Sequence, residues 1–144
     1  MIPNEFVNSP VLMVSESRVR HNLELFHEFS GGAEVAAVVK ADAYGCGLEN
    51  VTKMLFGMGV RTFFVATHSE ADNISNYLKC TVKIYTLSDH WRPFRVVNHA
   101  NIISVASTLE AVTKLANIGT QESCAIHLDF GLNRFGVKIH KVKD

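Results

Sequence analysis

The sequence predicts an α/β fold in which parallel strands alternate with helices. Three features carry this reading. Short apolar runs without polar alternation recur along the chain, as suits strands covered on both faces. Between them lie segments with apolar residues three and four apart, the spacing of one helix face. The connections between the two kinds of segment are short. Parallel strands need crossover connections, and these helices supply them. An open doubly wound sheet and part of an (α/β)8 barrel both satisfy the pattern, and periodicity does not choose between them.

The elements follow in order. Val11-Leu12-Met13-Val14 is a short apolar run. Val19, Leu23 and Phe26 then mark a helix with Ser15 or Ser17 as N-cap, ended by Gly31-Gly32, where a positive φ is cheap. Glu34–Val39 reads as a strand buried on both faces. Val51, Leu55 and Met58 line a helix stopped by Gly59, and residues 62–66 form the next strand. Thr67 and Glu70 have the spacing of a capping box, opening a helix that contains Ile74 and Leu78. Residues 82–87 are a strand, and Pro93 sits in the first turn of a helix running toward His99. Residues 102–106 are another strand. Ser107 with Glu110 forms a second capping box, for a helix lined by Leu109, Val112 and Ala116 and ended by Gly119. Cys124–Leu128 is the last strand and runs into Asp129-Phe130-Gly131-Leu132-Asn133-Arg134.

With 144 residues the chain is of single-domain size, and no repeat, linker or low-complexity stretch marks an internal boundary. Apolar residues make up 47% and charged residues 19%, so a core can be buried and disorder is not expected. Fourteen basic and fourteen acidic side chains cancel, which gives no electrostatic case for nucleic acid or an anionic membrane. The histidines lack ligand-like spacing, so no metal site is expected. Cys46, Cys80 and Cys124 are far apart and odd in number, which favours a reducing compartment over a disulfide framework. The N-terminus lacks the marks of a secretory signal, and no run is long enough to span a bilayer. A cytoplasmic protein is the expectation.

Functional residues of parallel α/β folds cluster beyond the C-terminal ends of the strands. Lys40 holds that place on the strand ending at Val39. Small and branched apolar neighbours can strip part of its hydration, which favours the neutral amine of a nucleophile. On position alone, a solvated lysine closing a strand is the favoured reading, since strand ends on protein surfaces commonly carry charge. Tyr44 then offers a hydroxyl, and Gly45 and Gly47 permit either a tight turn or close approach to an anion such as phosphate.

Val39-Lys40-Ala41-Asp42-Ala43-Tyr44-Gly45-Cys46-Gly47 resembles the cofactor signature of the alanine racemases. His127–Gly136 is similar to that family's later strand and Asp-x-Gly-x-x-Arg-x-Gly loop. The Val11–Phe29 segment, with Arg20-His21-Asn22-Leu23, resembles the opening strand and helix, and Arg61–Thr67 falls where the family has its second barrel strand. The likeness runs in order along essentially the whole chain. It implies an incomplete (β/α)8 TIM-type barrel, with about five parallel strands alternating with helices; a closed barrel typically takes about 250 residues. Residues 1–144 would be the N-terminal part of a pyridoxal 5'-phosphate (PLP)-binding barrel, without the later strands or the family's C-terminal β domain.

The resemblance also implies roles. Lys40 would carry PLP and act as one of two acid/base groups, Tyr44 would help hold the cofactor phosphate, and Arg134 would lie near the cofactor's phenolic oxygen and the substrate carboxylate. The family interconverts L- and D-alanine, supplying D-alanine for cell-wall peptidoglycan, and works as a homodimer. Its second base is a tyrosine from the partner's C-terminal domain. Tyr77 and Tyr85 read as packing residues, not as replacements for that tyrosine. The chain is therefore expected to be inactive by itself and to self-associate through unfinished surfaces. Two positions depart from the pattern. Cys46 stands where many relatives have histidine or an apolar residue. His127 stands where several carry a modified lysine that orients the arginine, and a neutral imidazole cannot reproduce that anion. A non-racemising PLP binder, similar to single-barrel PLP-homeostasis proteins or the barrel half of PLP-dependent decarboxylases, and a non-catalytic truncated product are the competing readings.

Overall fold

The computed structural model describes residues 10–79, 82–87, 101–118 and 124–138. The chain forms two compact units, residues 1–35 and 36–144. The first contains helix α1 (Glu16–Phe29). Of the two candidate caps the structure uses Ser15, whose side chain accepts from the Arg18 amide. The helix ends before Gly31 and Gly32, both of which have positive φ.

In the second unit, strands β1 (Ala37–Val38), β2 (Thr62–Val65), β3 (Lys83–Thr86), β4 (Ile102–Ala106) and β5 (Cys124–Ile126) form one sheet. All four pairings are parallel, and the strands stand in chain order, β1-β2-β3-β4-β5. This order decides between the two architectures. A doubly wound sheet reverses its strand order at a switch point, whereas sequential right-handed crossovers always step the same way and put every helix on one face. The sheet is an arc of an α/β barrel.

Helices α3 (Leu48–Gly57), α4 (His68–Leu78) and α5 (Leu109–Ile118) fill the crossovers between described strands. Helix α4 packs on β2, β3 and α3. One side of the central strands is fully covered: Phe63, Val65, Ile84 and Thr86 alternate along β2 and β3 and lie within the core, together with Ala71 and Ile74 of α4. Full burial of a Phe or Ile side chain stabilises by roughly 1.5–3 kcal/mol, so this face anchors the unit. On the other face Phe64 and Tyr85, paired in register, stack with ring centroids 4.8 Å apart. Tyr85 is thus a packing residue.

Several elements differ from the sequence reading. The first strand is shorter than Glu34–Val39, and Val38 is 47% exposed, so β1 is covered on one face only. It is an edge strand and lacks an inner neighbour to cover it. Thr108, not Ser107, caps α5 by accepting from the Ala111 amide. Ser107 is buried, and its hydroxyl has no hydrogen-bond partner among the described residues. Helix α5 buries Ala111, while Leu109 and Ala116 face outward. The helix expected after Pro93 and the stop at Gly119 lie outside the described residues. The capping box at Thr67 and Glu70 is present as read.

The last strand does not simply run into a loop. Beyond β5 the chain forms β6 (Leu128–Asp129), which pairs in parallel with β7 (Val137–Lys138). The connecting loop is ordered by Asp129, whose Oδ1 accepts from the amides of Gly131 at 3.0 Å and Asn133 at 3.1 Å. These two bonds, the Gly131 bond foremost, hold the Asp129 carboxyl below its ordinary value. Gly136 then passes so close that an added Cβ would lie 2.8 Å from the Asp129 backbone nitrogen.

Two expectations follow for this loop. Gly131 and Gly136 share a φ near +120° (122° and 116°), but a Cβ at Gly131 would meet nothing within 4 Å. Strain of about 1–3 kcal/mol applies to both alanine variants, so Gly136→Ala should destabilise more in denaturant titrations. Equal losses would refute the close approach. For pH, a carboxyl whose folded value is depressed contributes above its unfolded value and loses that contribution as pH falls through the folded one. The amide NMR shifts of Gly131 and Asn133 should therefore titrate with a midpoint below 3.8. Asp129→Asn should abolish the titration; a midpoint at or above that value in the parent chain would contradict the assignment.

Candidate functional site

Between β1 and α3 the chain makes one left-handed helical turn, α2 (Lys40–Tyr44). Ala41, Asp42, Ala43 and Tyr44 have φ of 52°, 55°, 53° and 56°, close to the left-handed minimum. Each such L-residue costs roughly 1–2 kcal/mol, so the turn persists only because its surroundings over-determine it. Ala43 is buried. The turn closes through the Ala43 amide on Val39 O at 2.9 Å and the Gly45 amide on Ala41 O at 3.0 Å. Asp42 O accepts from the amides of both Gly45 and Gly47. The two glycines therefore serve the turn, one of the two uses the sequence allowed: their N–H groups are spent inside it.

Two carboxylates pin the turn from outside. Asp42 Oδ1 accepts the Leu48 amide at 2.7 Å, which ties the turn to the first residue of α3. Glu70, on the first turn of α4, accepts the Ala41 amide on Oε1 at 2.6 Å. Its other oxygen accepts from the amides of Ala66 at 2.9 Å and Thr67 at 3.1 Å. One side chain thus bridges the ends of β1 and β2. Sequence reasoning found Glu70 as a capping residue and missed its reach to Ala41, because no local spacing signals a partner 29 residues away. Asp42 was missed too, although an Asp shortly before a helix is a recognised capping signal.

Lys40 stands two residues beyond the end of β1 and is half-buried. Among the described residues its ammonium has no hydrogen-bond or ion-pair partner, unlike Lys53 and Lys114, which pair with glutamates one helical turn away. Tyr44 ends the same turn, 63% exposed as a residue and with its hydroxyl without a partner among the described residues. Lys40 and Tyr44 therefore stand at the two ends of one hydrogen-bonded turn, each with its polar end without a partner among the described residues. That arrangement fits a ligand bearing an electrophilic carbon and an anionic group. Arg134 lies in the β6–β7 loop, exposed, and no described contact joins it to Lys40 or Tyr44. It stands past the opposite edge of the sheet from β1, but at the same C-terminal end of the strands. His127 contributes its backbone: its amide donates to Ala106 O and its carbonyl accepts from Val137, while its side chain is exposed.

Comparison with known proteins agrees with the fold. Residues 14–144 match the family model described as alanine racemase, N-terminal domain. The biosynthetic alanine racemase of Agrobacterium fabrum is 37% identical over 114 residues, covering 76% of this chain and 29% of the relative. Among solved structures, the alanine racemase of Bartonella henselae with covalently bound pyridoxal phosphate superposes with a TM-score of 0.77 at 24% identity, over 90% of this chain and 39% of that one. The histidine racemase of Leuconostoc mesenteroides does so with a TM-score of 0.72 at 30% identity, over 87% and 35%. The chain spans about three-tenths of the length of the A. fabrum relative. With the match covering nearly all of the chain and the strands in barrel order, the chain belongs to the alanine racemase family and corresponds to its N-terminal domain.

Proposed function

We propose that this chain supplies the PLP-bearing part of an alanine racemase, with Lys40 as the lysine that carries the cofactor. The observation that carries the reading is the half-buried, unpaired Lys40 held on a strained turn beside the free hydroxyl of Tyr44. Tyr44 would hold the cofactor phosphate, and Arg134 would meet the cofactor's phenolic oxygen and the substrate carboxylate. When bound, PLP supplies an electron sink for the pair left at the amino acid's α-carbon once its proton departs. Lys40 would take or return that proton on one face. The rest of the barrel, the C-terminal β domain and a partner subunit would complete the site, in the cytoplasm; no helix among the described residues is long and apolar enough to cross a membrane. Alanine is the proposed substrate because the curated relatives are alanine racemases. The exposed apolar side chains of Val38 and Ile126, on the two edge strands, support self-association of the chain.

Cofactor attachment is tested by borohydride reduction with added PLP and peptide mapping. The label should fall on Lys40, vanish in Lys40→Ala and survive in Lys53→Ala. Even labelling of many lysines would reject the assignment and favour the non-catalytic reading.

The 144 residues by themselves should not racemise alanine above the rate of free PLP. A proton must leave one face of the α-carbon and another arrive on the opposite face, and Lys40 serves only one. A positioned acid/base group contributes about 10²–10⁴-fold, and misplacement by about 1 Å costs on the order of 10²-fold. Conversion of L-alanine to D-alanine is measured beside Lys40→Ala. Turnover that depends on Lys40 would overturn this expectation and require a second base within the chain.

A further inference from the structure

We propose that Glu70 is the positioning residue for Lys40: its carboxylate locks the left-handed turn that aims the lysine, and so couples the cofactor lysine to the β2–α4 junction. This rests on the reading of Lys40 given above and adds a residue that touches neither cofactor nor substrate. A capping glutamate ordinarily reaches back only to its own helix start. Glu70 does this with Oε2, which accepts from the Ala66 and Thr67 amides and the Thr67 hydroxyl. Oε1 is left over, and it accepts the Ala41 amide at 2.6 Å, the shortest of the carboxylate's three backbone contacts. Ala41 is the first residue of the turn at positive φ and directly follows Lys40. Its amide orientation therefore sets how the chain leaves β1, and with it the direction of the Lys40 side chain. The far end of the turn is held independently, by Asp42 on the Leu48 amide. Without the Glu70 tie, the near end would be free to relax from a backbone region that L-residues avoid.

The geometry separates this role from capping. In Glu70→Gln the single carbonyl oxygen serves best where three donors converge, on Ala66 and Thr67. The amide NH₂ then faces the Ala41 N–H, donor against donor. That variant keeps the cap and loses the tie. Thr67→Ala does the reverse, because Ala41 bonds to Glu70 and not to Thr67. Amide hydrogen exchange in the cofactor-free chain reads the tie directly. A hydrogen bond to a charged group is strong enough that its loss should speed Ala41 exchange about tenfold or more. In Glu70→Gln the Ala41 amide should speed up while the Ile74 amide in the middle of α4 does not. In Thr67→Ala the first turn of α4 should loosen while Ala41 keeps its protection. The ratio of borohydride-fixed PLP on Lys40 to that on Lys53 should fall in Glu70→Gln and hold in Thr67→Ala. Unchanged Ala41 exchange in Glu70→Gln, equal acceleration in both variants, or a Lys40:Lys53 ratio that holds although Ala41 is freed would each overturn the proposal. A parent chain with no preference for Lys40 would instead reject the cofactor reading, with Ala41 exchange still deciding whether Glu70 holds the turn.

Discussion

The constraint on which this structure depends is the handedness of the turn between β1 and α3. Successive L-residues at φ near +55° are disfavoured one by one, and no single hydrogen bond offsets them. What holds them is a set of independent ties: the internal closures onto Val39, Ala41 and Asp42, the Asp42 bond to the start of α3, and the Glu70 bond from α4. The small side chains of Ala41 and Ala43 let the backbone wind this way with the least steric conflict. Gly45 and Gly47 let the chain leave it, at φ of 82° and 91°. Lys40 and Tyr44 bracket the turn, so the geometry between the amine and the phenol is inherited from backbone strain.

The sheet supplies the platform for that turn. Parallel strands in chain order bring the C-terminal ends of β1 to β5 to the same end, where Lys40, Thr67, Leu87, Ser107 and His127 follow their strands. Support is uneven. The helix-covered face around Phe63, Val65, Ile84 and Ile74 is fully buried, whereas Val38 and Ile126 on the edge strands are about half exposed. Glu70 links the two regimes, since it belongs to a helix packed on the covered face and reaches across to the edge strand that carries Lys40. The Arg134 loop is organised separately, by ionised Asp129 and the close pass of Gly136. Its order therefore does not depend on the Lys40 turn.

Much of this was legible because the signals are local. The capping box at Thr67 and Glu70 needs only a three-residue spacing, and β4 at 102–106 is an apolar run bounded on both sides. Lys40, Tyr44 and Arg134 stood out through motifs that resemble a family, and the family match covers the residues that carry them. Gly45 and Gly47 were read as able to serve a turn or an anion. That choice waited for the hydrogen bonds, because a glycine announces conformational freedom and not what its amide will meet.

The sequence by itself determined the alternation of strands and helices and the capping box that opens α4. Those properties follow from periodicity and from bonds between near neighbours. The tertiary structure decided the strand order that makes the sheet a barrel arc, which periodicity left open and the family resemblance anticipated, because strand order depends on which strands pair and not on where each begins. It decided that Ser107 is buried and Thr108 caps α5, since one-residue differences at a strand end turn on packing. It also decided the left-handed turn at Lys40, whose cost is met by a glutamate far along the chain, a relation that no local pattern of residues records.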